Sequence, residues 1–436
     1  MKLKKSVLLD SVLYVMFIAM LIGRDIGGIA VNKYIFIILA SIIMFVGSEE
    51  DIYCFISFAT PLFSGIPLKN ITICALFLLI IKRKFEIKLD KKCLIFGIMI
   101  LILELASIHK GFFSMIEYVR FVAVFMFTLI FLTEKQTNLN YKRIIYYFLF
   151  GTTVMILILC LQMLKYYSLE EFLAMGQRFG NINQILQLDN SMRVSLNPND
   201  LGIFCNLAIC FLLLLKKDVS FVIWVSGLAL FFIIGIMTQS RTFILTFLCI
   251  AVMYVMFINK GVKRKIYTIC LGVIIGGVFL FLMREIIFKY VQNLIGRFTQ
   301  VDDISNGRTS ITLFYIKSMF QSAYDLLFGV GMQNINFKYN AFFTPHNVIL
   351  ETVIGWGSIG LICIYCLFYR ICLNNKKTNH KIGIKYYIPI ICFFIMLQTG
   401  QGFSLCFHIL SLIPVCAGIW LACNQNEIAN VACELH

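Results

Sequence analysis

MKLKKSVLLDSVLYVMFIAMLI, residues 1–22, places Lys2, Lys4 and Lys5 ahead of the apolar run Val7 to Ile22. Taken alone, this has the shape of a secretory signal. It has no small-residue cleavage site, and many more apolar runs follow, so it reads as a retained first transmembrane helix. The rest of the chain repeats the pattern. Over 436 residues it is 60% hydrophobic and 14% charged, whereas soluble domains carry about 25% charged residues. The reading is an all-α polytopic membrane protein, one integral membrane domain over residues 1–436 with no appended soluble domain.

Fourteen apolar runs are candidate spans: 7–22, 33–47, 52–66, 69–81, 93–108, 115–133, 144–166, 199–215, 219–238, 242–258, 266–283, 346–369, 386–401 and 404–421. About 12–14 transmembrane helices are therefore expected. The third and fourth are short and broken by Pro61 and Pro67, so they are tilted, buried by neighbours or re-entrant. With a cytoplasmic N-terminus, most of the 38 basic residues fall in short cytoplasmic loops, as the positive-inside rule requires. Counting runs three and four as one crossing would flip every later loop. They are kept as two, and both termini are expected in the cytoplasm. The net charge of +16 thus sets topology, and no nucleic-acid partner is expected. Most of the 16 cysteines sit inside apolar runs (Cys74, Cys160, Cys205, Cys249, Cys363) without metal-like pairing, and read as small buried hydrophobes.

Three segments then face out: 167–198, the tight Thr238-Gln239-Ser240-Arg241, and 284–345, a long extracytoplasmic loop within the membrane domain. Basic residues on the cytoplasmic side are mostly lysines, but Arg178, Arg193, Arg241, Arg284, Arg297 and Arg308 all face out. Topology does not require arginine, whereas bidentate binding of phosphate or carboxylate favours it. The long loop holds two helical stripes, Ile287, Val291, Leu294, Phe298 and Leu313, Ile316, Phe320, Tyr324, Leu327. These amphipathic helices are expected to lie on the bilayer or cap the bundle. Ser305-Asn306-Gly307 precedes the second and Gly329-Val330-Gly331 ends it, so Arg308 opens a helix, where the dipole already favours an anion.

His346 begins a span just after Pro345, and histidine serves as general base or phosphate ligand near neutral pH. Asn347 and Glu351, four residues apart, are expected on one face, and an intramembrane carboxylate generally faces a functional interior. Asn197-Pro198-Asn199-Asp200 reads as a capped helix start behind Arg193. Glu104 and Arg120 are expected to form a structural ion pair. Gln398, Gln401 and His408 either line a pathway or bond helix to helix. There is no P-loop, no paired Asp-x-Asp and no metal-ligand cluster, so neither metal nor cofactor is expected. Chemistry outside the cell, away from nucleotides, needs a pre-activated donor. A lipid diphosphate supplies one, with a leaving group that arginines can stabilise.

In order, these signals resemble the O-antigen ligase and oligosaccharide repeat-unit polymerase (Wzy-like) family of bacterial polytopic proteins. The resemblance rests on Arg193 with Asn197-Pro198-Asn199, on Thr238-Gln239-Ser240-Arg241, on Gly307-Arg308 with Gly329-Val330-Gly331, and on His346-Asn347 with Leu350-Glu351 and Gly355. It covers roughly residues 190 to 370. Two features depart from the family pattern: Ile311 and Leu313 stand where an aromatic is common, and no glycine follows Arg193 closely. The resemblance implies a C-type glycosyltransferase-like helical fold in the bacterial cytoplasmic membrane. It implies metal-independent transfer of a glycan from undecaprenyl diphosphate to an acceptor hydroxyl. Arg193, Arg241 and Arg308 would hold the diphosphate and glycan, and His346 would orient or deprotonate the acceptor. Arg178, Asn197, Asn199, Asn347 and Glu351 complete the expected substrate-binding set. Polymerisation of repeat units into capsule, exopolysaccharide or O-antigen is the leading expectation, with a chain-length regulator and a flippase as partners. Ligation of finished glycan to lipid A core or protein comes second. A flippase or exporter of the same lipid-linked oligosaccharide, and a cell-wall glycosyltransferase, are the rivals.

Overall fold

The structure, a computed structural model, describes residues 2–87, 89–105, 108, 113–133, 139–174, 177–180, 193–258, 308–338, 345–374, 384–398 and 406–434. Among these residues every regular element is helical. The first group is α1 (Lys2–Asp25), α2 (Lys33–Val46), α3 (Glu49–Ala59), α4 (Leu68–Lys82), α5 (Lys91–Leu105), α6 (Met115–Thr133), α7 (Tyr141–Tyr166) and α8 (Leu169–Ala174). Then come α9 (Pro198–Leu214), α10 (Phe221–Met237), α11 (Arg241–Met253), α12 (Arg308–Met319), α13 (Ala323–Phe328) and α14 (Ile335–Lys338). Last are α15 (Val348–Asn374), α16 (Ile388–Leu397) and α17 (Cys406–Glu434). Each expected span within the described residues is occupied by a helix. The run 266–283 and the stripe Ile287–Phe298 lie outside them.

Three helices are long and apolar enough to cross a membrane by themselves: α6, α7 and Val348–Ile371 of α15. Shorter apolar stretches fill α2, α9, α10, α11, α16 and α17. Large apolar side chains also point outward, among them Val15 on α1, Ile102 on α5, Phe221 on α10, Leu248 on α11 and Ile362 on α15. Water would penalise such a surface and lipid does not. The chain is a multi-pass membrane protein. α3 settles the short third span: Ile52 to Ala59 are all buried, and Pro61 sits in a 3₁₀ turn that stops the helix. It packs along α7, so neighbours bury it.

Polar bonds between helices gather at two ends, and each joins ends that an alternating topology puts on the same side. At the lysine-rich end Arg83 pairs with Glu49, Arg143 with Glu50 at 3.2 Å and Asp51 at 2.5 Å, Lys142 with Asp218 at 2.6 Å, and Arg370 with Asp90 at 3.1 Å. At the opposite end Arg24 donates to the Gly65 carbonyl at 2.6 Å and Lys165 to the Ile26 carbonyl at 2.7 Å. Lys69 pairs there with Glu117 at 2.7 Å. The expected Glu104–Arg120 ion pair is not formed. Arg120 turns to Glu117, three residues back on its own helix, and to Asn70 at 2.8 Å. Glu104 goes elsewhere.

The polar segment before α15 is docked into that helix. Gly357 has φ 70 and ψ −178 inside α15, which breaks its hydrogen-bond ladder. The carbonyls of Ile354 and Gly355 accept instead from Val330 N at 2.9 Å and Gly331 N at 2.7 Å. Glu104 on α5, almost wholly buried, accepts from Met332 N at 2.9 Å and Trp356 Nε1 at 2.8 Å. One carboxylate therefore fastens the turn after α13 and the kink of α15 to α5. Replacing Glu104 by alanine strands two buried N–H donors, at about 1–3 kcal/mol each, whereas Glu104→Gln keeps one acceptor oxygen. Thermal unfolding in detergent is expected to show a loss of about 2–5 kcal/mol for alanine and a much smaller one for glutamine; equal losses would mean the hydrogen bonds do not matter.

Candidate functional site

Three loops meet at the end opposite the lysine-rich one. Asn197 caps α9, accepting from Asn199 N at 2.9 Å, with Pro198 in the first turn. Ser240 caps α11, accepting from Phe243 N at 3.3 Å, after Gln239 in the left-handed region. The caps are joined through Asn199 Oδ1, which accepts from Ser240 Oγ at 3.0 Å and from Arg178 at 2.8 Å. Arg178 also donates to the Thr238 carbonyl at 3.0 Å. These bonds commit Arg178 and the side-chain oxygens of Asn197 and Asn199 to the scaffold, so the three position the loops.

Segment 193–197 is itself pinned. Val194 N donates to Asp25 at 2.9 Å, Ser195 N to Ser64 at 3.0 Å, and Leu196 N to the Gly180 carbonyl at 3.0 Å. Arg193 rides on this segment, half-buried, with no hydrogen-bond or ion-pair partner among the described residues.

Arg308 opens α12, as the turn chemistry predicts. The expected single stripe up to Leu327 is two helices, because Ser322 caps α13 by accepting from Asp325 N at 3.2 Å. Leu313, Phe320, Tyr324 and Leu327 are exposed along it, as a bilayer-resting surface requires. Burial, and then Arg241 beside it, pull the Arg308 guanidinium below its ordinary range. Burial, and then the Arg308 charge, hold the His346 imidazole below its usual range. Arg241, Arg308 and His346 therefore form one half-buried cationic cluster. Neither Arg308 nor His346 has a hydrogen-bond or ion-pair partner among the described residues.

His346 does not begin the helix. α15 starts at Val348, and Asn347 caps it, its Oδ1 accepting from Leu350 N at 3.0 Å. His346 stands before the cap with φ 44, a conformation histidine tolerates better than most residues. Pro345 therefore precedes the cap and lies outside the first turn. Asn347 and Glu351 are joined by the first helical bond, Glu351 N donating to the Asn347 carbonyl at 2.8 Å. Asn347 donates to Gln398 Oε1 at 3.1 Å, towards α16. Glu351 is buried near Tyr315 of α12; burial and that carboxylate push the Tyr315 phenol up to about 12. Gln398 thus bonds helix to helix. The fully buried His408 places its Nε2 3.9 Å from Asp200 on α9, and neither ring nitrogen makes a hydrogen bond among the described residues. Gln401 lies outside the described residues.

The helical bundle defines a multi-pass membrane protein, with a cationic cluster at one end. Residues 207–365 match the family model described as O-antigen ligase. The matched segment contains Arg241, Arg308, His346, Asn347 and Glu351, and begins after Arg193 and Asn199. No curated protein matches the chain.

Sequence reasoning missed the part played by Glu104, Trp356 and Gly357. A lone carboxylate inside an apolar run was the available signal.

Proposed function

We propose that the protein is a polymerase of undecaprenyl-diphosphate-linked repeat units, working at the outer face of the bacterial cytoplasmic membrane with a C-type glycosyltransferase-like architecture. The observation that carries this reading is the half-buried Arg308 and His346, without partners among the described residues, beside Arg241. Half-buried guanidiniums beside each other repel, and a diphosphate relieves that repulsion. Arg193, also without a partner among the described residues, would hold the glycan or the far phosphate. Arg178, Asn197 and Asn199 would keep the loops in place, and Asn347 would orient His346 from the cap. Glu351 would support α12 from below. Neither metal nor cofactor enters the step.

In that step the acceptor hydroxyl oxygen of a second lipid-linked unit bonds to the anomeric carbon of the donor glycan. The bond from that carbon to the diphosphate oxygen breaks, and its electron pair leaves on the lipid diphosphate, held by the arginines. The hydroxyl proton passes to the His346 imidazole. A chain-length regulator and a flippase would act before and after. The clustering of cations at one end favours an enzyme over an exporter, which needs its charges in a central cavity. The ligase reading is second, favoured by the match of residues 207–365 to the O-antigen ligase family model.

The sign of the pH dependence follows from the site. A lowered pKa keeps His346 neutral and proton-accepting at pH values below the ordinary histidine range near ~6.5. The acid limb of kcat/KM, which reports the free enzyme, is therefore expected below that range. A bound diphosphate cancels the Arg308 charge, so the acid limb of kcat is expected at higher pH. His346→Ala should remove both limbs.

Deleting the gene and running surface polysaccharide on a gel, beside a His346→Ala strain, tests the assignment. Single repeats without a ladder support polymerisation. Long lipid-linked chains lacking their final anchor support ligation. Units trapped on the cytoplasmic side indicate an exporter, and an unchanged ladder would falsify glycan transfer altogether.

A further inference from the structure

At the lysine-rich end, far from the cationic cluster, α1 and α7 enclose a cavity of about 300 Å³ lined by Asp10, Ser11, Tyr14, Ile18, Tyr147 and Phe150, with Val15 and Arg143 completing the wall. Its polarity is graded. Asp10, Ser11 and Arg143 lie near the helix ends. Ile18 and Phe150 lie seven or eight residues further along, which at ~1.5 Å per residue is roughly 10–12 Å deeper. Val15 and Phe150 are 64% and 43% exposed, so the deep part opens sideways onto the lipid-facing surface.

The polar part is incompletely satisfied. The Oδ1 of Asp10 is buried without a hydrogen-bond partner, and among the described residues its carboxylate accepts no hydrogen bond at all. The nearest charges are Asp51, Arg143 and Lys82. Arg143 is already shared by Glu50 and Asp51. Lys82 donates to the carbonyls of Met44, Gly47 and Ser48. The described residues thus supply Asp10 with no donor, and a buried carboxylate oxygen without one is costly.

We infer that this cavity is a binding site for a membrane phospholipid with a primary ammonium headgroup. The ammonium donates to Asp10, the phosphate lies towards Arg143 and Tyr147, and an acyl chain runs over Val15, Ile18 and Phe150. The lateral opening selects an occupant from the bilayer. The Asp10 carboxylate selects a headgroup with N–H donors over one whose nitrogen is fully methylated.

The test uses the full chain in nanodiscs of phosphatidylcholine doped with phosphatidylethanolamine, phosphatidylglycerol or neither, with retained lipid read by native mass spectrometry. Phosphatidylethanolamine is expected to be retained about tenfold over phosphatidylcholine, the scale of one charge-assisted hydrogen bond. Asp10→Asn should abolish that preference. Val15→Phe, on a lipid-exposed position that tolerates bulk, should lower retention of every lipid by filling the deep part. Equal retention of the headgroups by the wild-type chain would overturn the inference, and so would a preference for phosphatidylglycerol. A preference that survives Asp10→Asn would overturn it too.

Discussion

Replacing Arg308 by lysine is expected to lower glycan transfer by about 10²–10³-fold, the usual cost of removing one donor aimed at developing negative charge, while the protein stays inserted and folded. The two halves of this expectation have separate grounds. Lysine keeps the charge but loses the planar fork that grips a phosphate with two parallel hydrogen bonds. Folding is spared because Arg308 has no hydrogen-bond or ion-pair partner among the described residues and stands beside Arg241, a like charge. The replacement strands no partner among the described residues. Polymer ladders and membrane abundance, measured together, check both halves. Lys317→Arg, on an exposed face of the same helix, is the control and should behave as wild type. Full ladders from Arg308→Lys would remove the diphosphate role.

Gly357→Ala is expected to cost roughly 3–4 kcal/mol and to reduce transfer beyond the loss of folded protein. The backbone there, φ 70 and ψ −178, belongs to a region essentially closed to other residues, at about 1–3 kcal/mol. An added Cβ would also run into the Leu327 carbonyl, which is backbone and cannot swing aside. The turn at Gly329 would have to withdraw from α15, breaking the bonds of Val330 and Gly331 to Ile354 and Gly355. Arg308 and His346 are held in register by that docking, so activity should fall with it. Gly418→Ala is the comparison: its Cβ meets only ordinary contacts from 3.5 Å, and its helix should be unaffected or steadier. Thermal unfolding in detergent separates the two, and matching melting temperatures would show that the kink is dispensable.

Hydropathy made the helices legible, because lipid imposes a length on each crossing and leaves long apolar runs as its mark. Caps were legible too: Asn197-Pro198 and Ser240 carry short-range chemistry that reads off neighbouring residues. What failed was everything set by partners distant in the chain. Glu104 was paired on paper with Arg120, yet Arg120 had Glu117 one turn away, and the true partners of Glu104 lie beyond residue 330. The kink in α15 was hidden because Gly355-Trp356-Gly357 sits in an apolar stretch that scores as continuous helix.

The fastening by Glu104 has a consequence for modularity. The segment that matches the family, residues 207–365, contains Arg241, Arg308 and His346, yet the carboxylate that locks its turn and its broken helix comes from α5, far upstream. The matched segment is thus not a transplantable cassette. A chimera carrying only the matched segment into a relative would inherit the cationic side chains without the clasp that aligns them, unless the host offered an acidic residue at the same depth. The upstream helices, which look like mere anchorage, hold the turn and the broken helix of the matched segment in place.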